Sequence, residues 1–265
     1  MFDRFGRKIN YLRISVTDRC NQRCYYCMPK SGITLIKHKN VLSFEEIVQI
    51  TTKFVEMGID KVRLTGGEPL VRRGIVSLVA MLSGIKGVKD LSMTTNGVFL
   101  AEYAEGLKKN GLDRINVSLD SINAKTYKNI TNTDRLDDVF KGLKVAKKIG
   151  FNPIKLNCVI EKSRDEKDAR EVAEFAYKNG FDIRFIRRMN IERGEFWPVE
   201  GGNGGNCKSC NRLRLSSDGR LFPCLFSDIS FSVKNIGAEK AFTQALNHKP
   251  MSGKTADNKF YGLGG

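Results

Sequence analysis

From residue 11 to residue 187, short apolar runs alternate with segments whose apolar residues recur every three or four positions. The runs at 12–16, 61–65, 90–94, 114–119, 154–160 and 182–187 are mostly rich in β-branched and apolar residues, which predicts six buried strands. Between them, Ile47, Ile50, Thr51 and Phe54 keep helical spacing. So do Val139, Leu143 and Ala146, and Ala169, Val172, Ala173 and Ala176, so each set predicts a helix with one core-facing stripe. Ser43 and Glu46 have the spacing of a capping box, and Gly58, Gly111, Gly150 and Gly180 stand where left-handed helix ends are expected. Repeated strand-helix units require parallel strands and right-handed crossovers. They give an open α/β sheet or a complete or partial barrel, with functional groups at the strands' C-terminal ends.

After Arg188 the pattern breaks into a connector that includes Gly201-Gly202-Asn203-Gly204-Gly205. Two short segments, 211–215 and 220–223, then flank Ser216-Ser217-Asp218-Gly219 as a hairpin with an Asp-Gly turn. The expected organisation is a first unit at 1–190, the connector at 191–206 and a small second unit at 207–265.

Composition adds constraints. With 41% apolar and 28% charged residues, the 265-residue chain is of ordinary globular type. No apolar run reaches membrane-span length and the first residues lack a signal peptide's apolar centre, so a cytoplasmic protein without membrane contact is expected. The net charge of +16 favours anionic partners such as nucleotides, nucleic acid or phosphorylated metabolites, although scattered lysines and arginines also suit a solvated basic surface.

Six of the seven cysteines fall into two groups; Cys158, in an apolar run, reads as a buried thiol. Such clustering in a cytoplasmic chain points to metal rather than disulfides. Cys20-x3-Cys24-x2-Cys27 follows the first strand. Three thiolates suit a [4Fe-4S] cube with one open iron, whereas structural zinc ordinarily takes four ligands. Cys207-x2-Cys210-x13-Cys224 again supplies three thiolates without a nearby fourth cysteine or histidine.

With Tyr26 before its last cysteine, the first group resembles that of the radical S-adenosylmethionine (SAM) superfamily, and Gly66-Gly67-Glu68-Pro69 resembles that family's SAM-amine motif. The resemblance implies a partial (β/α)6 TIM-type barrel with a small C-terminal cluster-binding unit. It also implies a cluster on Cys20, Cys24 and Cys27 that cleaves SAM, with Tyr26, Gly67, Glu68, Thr94 and Ser118 around the cofactor. For Asp120 a helix N-terminal cap is the alternative to a site role.

The run from Cys207 through Asn211-Arg212-Leu213-Arg214 resembles the GTP 3′,8-cyclase family of molybdenum-cofactor biosynthesis, as do Asp3-Arg4-Phe5-Gly6-Arg7, the segment before Cys20 and the terminal Gly264-Gly265. This implies a second [4Fe-4S] cluster on Cys207, Cys210 and Cys224, with GTP as substrate and an external electron donor. Arg13, Lys61, Arg63, Lys155 and Arg184 would bind triphosphate, Arg212 and Arg214 would reach the nucleotide, and Gly264 and Gly265 would enter the site. A homodimer is compatible with this reading, and no nucleic-acid partner is expected.

Two departures stand against the pattern: the segment before Cys207 is short, so part of the substrate enclosure is expected to be missing, and Arg187 stands where an acid is usual. A two-cluster enzyme acting on a peptide or another metabolite is the second expectation. A basic zinc-dependent nucleic-acid-binding protein is the third.

Overall fold

The computed structural model describes residues 1–28 and 32–264; Gly265 lies outside them. Among the described residues, nine strands form one sheet in the order β6-β5-β4-β3-β2-β1-β7-β8-β9. The first six are β1 (Tyr11–Ser15), β2 (Lys61–Thr65), β3 (Asp90–Thr95), β4 (Arg114–Ser118), β5 (Ile154–Ile160) and β6 (Asp182–Arg187). They pair in parallel. The sheet remains open between β6 and β9 (Phe231–Ser232), the two edges of a partial barrel.

Among the described residues, six α-helices link these strands: α1 (Phe44–Glu56), α2 (Ile75–Ser83), α3 (Leu100–Lys109), α4 (Ala124–Thr131), α5 (Leu136–Lys148) and α6 (Lys167–Asn179). The capping box at Ser43 and Glu46 is present, and Gly58, Gly111, Gly150 and Gly180 all take positive φ. The helices' apolar stripes join one side of the sheet in a single core containing Leu12, Phe54, Val62, Leu143, Leu156 and Val172.

The other side of the sheet is the working face, and strand alternation decides what it carries. On β5, Ile154, Leu156, Cys158 and Ile160 are buried and the intervening Lys155, Asn157 and Val159 are partly exposed. On β7 (Arg212–Leu215), Leu213 and Leu215 are buried, leaving Arg212 and Arg214 on the opposite face.

The predicted hairpin is present as β7 and β8 (Arg220–Phe222). Its relation to the barrel was not legible in the sequence: β7 pairs in parallel with β1, so the second cysteine region continues the same sheet. Behind it lie the short α7 (Val233–Ile236) and α8 (Ala238–Asn247), and the tail ends in α9 (Phe260–Leu263). A smaller apolar cluster of Ile191, Phe222, Leu225, Phe226, Ala256 and Leu263 ties connector, hairpin and tail together.

Candidate active site

The loop after β1 carries Cys20, Cys24 and Cys27, all partly buried. A tight turn at Cys24, whose carbonyl accepts from Cys27 N and Met28 N at 3.0 Å each, brings the last two together. Gly66 and Gly67 seat this loop. A Cβ on Gly66 would lie 2.5 Å from Thr17 O, and one on Gly67 2.3 Å from Arg19 O. Gly67 N and Glu68 N donate to those same carbonyls at 2.7 and 2.8 Å. The close approach these glycines permit is thus between two segments of the chain.

Glu68 is 1% exposed. Its carboxylate accepts from Leu70 N, Thr95 Oγ1 and Asn96 N at 2.9, 2.7 and 2.6 Å, clamping the β2 loop to the β3 loop. Asn96 in turn contacts the Cys20 sulfur and donates to Asn21 Oδ1 at 2.7 Å. The cap alternative for Asp120 fails, because Asn123 caps α4. Asp120 instead accepts from Tyr26 Oη at 2.5 Å and Val159 N at 2.8 Å, fixing the ring between two of the cysteines.

Burial pushes the Glu68 carboxyl up from 4.5 to about 7, against its three hydrogen bonds. A carboxyl raised in the folded state contributes stability that is fully present below its unfolded pKa and lost as pH rises through the folded one. In the cluster-free protein, wild type is expected to lose roughly 3 kcal/mol relative to Glu68→Gln between about pH 4.5 and 7. Denaturant titrations across that window measure the difference; a gap that stays constant with pH would remove this role for Glu68.

Burial also pushes the first thiols up, Cys20 to about 11 and Cys27 to about 12, with Glu68 adding to the effect at Cys20. Cys24 is raised further, by burial and then by Asp120. Thiolates here therefore need a bound positive charge, which iron would supply. Among the described residues no group of three or more His, Cys, Asp or Glu side chains is placed to hold a single metal ion. Cys27 and Tyr26 line a cavity of about 500 Å³ together with Glu161, Arg187, Met189 and Trp197. The Arg187 guanidinium stacks 4.0 Å from the centre of the Trp197 ring in this cavity.

Met189 also lines a second cavity, of about 430 Å³, which contains Cys207, Cys210 and Cys224. Among the described residues, seven cations line it (Arg13, Lys61, Arg63, Arg114, Arg184, Arg212 and Arg214) against one carboxylate, Asp90. Sheet register aligns several of them: Arg214, Arg13 and Arg63 sit directly opposite one another across β7, β1 and β2. Burial and then the neighbouring Arg214 hold Arg13 well below its usual range; burial and then Arg212 bring Arg214 down to about 10.

Tyr11 carries Arg63 and Arg212 over its ring, each 5.7 Å from the centroid. With its amide oxygen facing the cations, Asn116 accepts from Arg63 and Arg184 at 3.0 Å each. Thr94 and Asn157 also line this cavity, and their buried Oγ1 and Oδ1 have no hydrogen-bond partner among the described residues. Sequence reasoning missed Tyr11, Asn116 and Asn157; only their strand alternation with the core residues pointed to them.

The second thiols lie in different company. Burial raises Cys210, but the ammonium of Lys249, then the Arg212 backbone and guanidinium, outweigh it and leave this thiol below its usual range. At Cys224 burial prevails over Lys249 and the thiol is raised.

The connector is a wall of this cavity. Glu200 pairs with Phe185 on β6, Gly201 O accepts from Arg184 Nε at 3.3 Å, and Asn203 O accepts from Arg212 Nη2 at 2.9 Å. The short connector, through residues 201–206, thus lines one side of the cavity. Arg214 Nη1 donates to Gly264 O, placing the tail against β2, where Gly264 packs on Thr65. Lys155 is engaged instead by Asp182, and neither it nor Ser118 lines either cavity.

An open parallel α/β sheet with a three-cysteine loop after its first strand defines a radical SAM protein. The family model for the radical SAM superfamily matches residues 14–176. The GTP 3′,8-cyclase of Petrotoga mobilis is 37% identical over an alignment of 313 residues covering 98% of this chain and 97% of the relative. That of Thermodesulfovibrio yellowstonii is 40% identical, covering 93% and 91%. The chain belongs to the radical SAM superfamily and, within it, to the GTP 3′,8-cyclase family. The 313-residue alignment exceeds the 265-residue chain, so the Petrotoga enzyme has residues with no counterpart here. Among solved structures, native anSMEcpe with bound AdoMet aligns at TM-score 0.65 and 14% identity over 90% of this chain and 82% of that one. Streptococcus suis SuiB aligns at 0.67 and 15% over 92% and 67%. Both show the fold. No helix among the described residues is long and apolar enough to cross a membrane.

Proposed function

We propose that this chain cleaves SAM to a 5′-deoxyadenosyl radical and uses it to convert GTP into (8S)-3′,8-cyclo-7,8-dihydroguanosine 5′-triphosphate, in molybdenum-cofactor biosynthesis. Cys20, Cys24 and Cys27 hold one [4Fe-4S] cluster, and Cys207, Cys210 and Cys224 hold the other. Bound by Cys20, Cys24 and Cys27, the first cluster would supply the electron for SAM cleavage, drawn from a donor outside the chain.

The observation that carries the substrate is the in-register row Arg214, Arg13 and Arg63. Like charges directly opposite one another on a sheet are destabilising. Seven cations around one carboxylate suit a polyanion such as a triphosphate, with arginines offering paired donors to its oxygens. Thr94 Oγ1 and Asn157 Oδ1, without a partner among the described residues, offer neutral hydrogen-bonding groups in the same cavity. Glu68 and Asp120 act on the chain rather than on substrate, holding the cysteine loop and Tyr26 in place.

The peptide or metabolite alternative draws its weight from the short connector and from Arg187. The Arg187 stack on Trp197 in the first cavity reduces it, because that charge is not added to the arginine row. The deciding experiment supplies the reconstituted protein with SAM, a reductant and GTP deuterated at ribose C3′. Deuterium is expected in 5′-deoxyadenosine. SAM cleavage without transfer, despite GTP binding, would reduce the chain to a nucleotide-binding relative of the cyclases.

A further inference from the structure

Lys249 is 1% exposed, among the most deeply buried large side chains in the protein. A lysine this deep pays a desolvation penalty unless its ammonium is satisfied. Its Nζ donates to Arg212 O and Pro223 O at 2.7 Å each, so it is hydrogen-bonded. Among the described residues, no carboxylate forms an ion pair with it.

The acceptors are informative. Arg212 follows Cys210 by two residues and Pro223 immediately precedes Cys224, so one ammonium grips both cysteine-bearing segments. A second buried cation grips the third. Arg7 donates from Nη1 to Cys207 O at 2.8 Å and Met251 O at 3.2 Å, and from Nη2 to Pro250 O at 2.7 Å. Pro250 O is the carbonyl next after Lys249, which joins the two cations through adjacent backbone. Arg7 differs from Lys249 in being neutralised, since its Nε donates to the buried Asp3 at 2.6 Å.

We infer that Arg7 and Lys249 form a two-point mount for the second cysteine trio, in which Lys249 also sets an uncompensated positive charge against whatever the trio holds. This rests on the reading that Cys207, Cys210 and Cys224 hold an iron-sulfur cluster. A thiolate-ligated cluster gains negative charge on reduction, so a fixed cation at short range in a low-dielectric site favours the reduced form. Lys249 is therefore a positioning residue that also tunes the second cluster's potential. Arg7 positions Cys207 with a smaller effect on potential, because Asp3 cancels most of its charge.

The test uses the 265-residue chain with Cys20, Cys24 and Cys27 replaced by Ala, so that only the second trio holds iron. Iron and sulfide are counted and the midpoint potential is measured by EPR-monitored redox titration in the parent, Lys249→Gln, Lys249→Arg and Arg7→Gln. Lys249→Gln is expected to make the cluster about tenfold harder to reduce, a negative shift of about 59 mV for a one-electron couple. Lys249→Arg is expected to stay near the parent, and Arg7→Gln to lose iron more readily with a smaller shift. Retained iron at an unchanged potential in Lys249→Gln overturns the charge role. If Lys249→Gln holds too little iron for a potential, release of iron to a chelator decides: faster release restored by Lys249→Arg supports the inference, and equal loss in both variants reduces Lys249 to packing. A parent that takes up no iron and sulfide overturns the reading of the trio itself.

Discussion

Replacing Cys24 with Ala is expected to bring reductive cleavage of SAM to background while the chain still folds and still binds GTP. The first trio has three thiols, and removing one leaves a cube with too few protein ligands. Cys24 is partly buried in a loop whose turn is closed by backbone hydrogen bonds to its own carbonyl, so Ala preserves the fold locally. 5′-Deoxyadenosine formed under reducing, anaerobic conditions is the readout. Wild-type levels in the variant would remove the first trio from the chemistry, whatever the iron content.

Arg214→Met is expected to weaken GTP by roughly 1.5–3 kcal/mol, about 10- to 150-fold, through the loss of a charge-assisted contact. The same change is expected to leave the thermal midpoint of the nucleotide-free protein unchanged or higher. Two effects oppose each other there. The hydrogen bond to Gly264 O is lost, but the row of Arg214, Arg13 and Arg63 loses one of its facing charges. Binding thus falls with no loss of stability, a combination that a merely structural arginine does not give. Unchanged GTP affinity in calorimetry would remove Arg214 from the nucleotide site, and Arg212→Ala, measured alongside, extends the test to its neighbour on the same strand face.

The six barrel strands were legible because each is short, apolar on the helix side and followed by marked helix ends; the boundaries at 61–65, 154–160 and 182–187 coincide with β2, β5 and β6. The two cysteine trios were legible because ligand spacing within a loop is local information. The partners of Glu68 and Asp120 were not. A carboxylate accepting from Asn96 N and one accepting from Tyr26 Oη depend on loops brought together only by the barrel. Lys249 was silent for the same reason, since nothing beside it in the chain indicates that its ammonium meets carbonyls far away in sequence. The placement of β7 next to β1 was also hidden, because parallel pairing across such a separation has no turn signature.

That pairing bears on how the two cysteine regions keep their distance. β1 leads directly into the Cys20 loop and, along its edge, is zipped to the strand that begins two residues after Cys210. A single strand therefore serves as the ruler between the two regions, and the connector is not part of the measurement. Lengthening or shortening such a loop changes its closure entropy only slowly. Drift in connector length between cyclases can thus reshape the wall over the nucleotide without changing the span between the two cysteine trios.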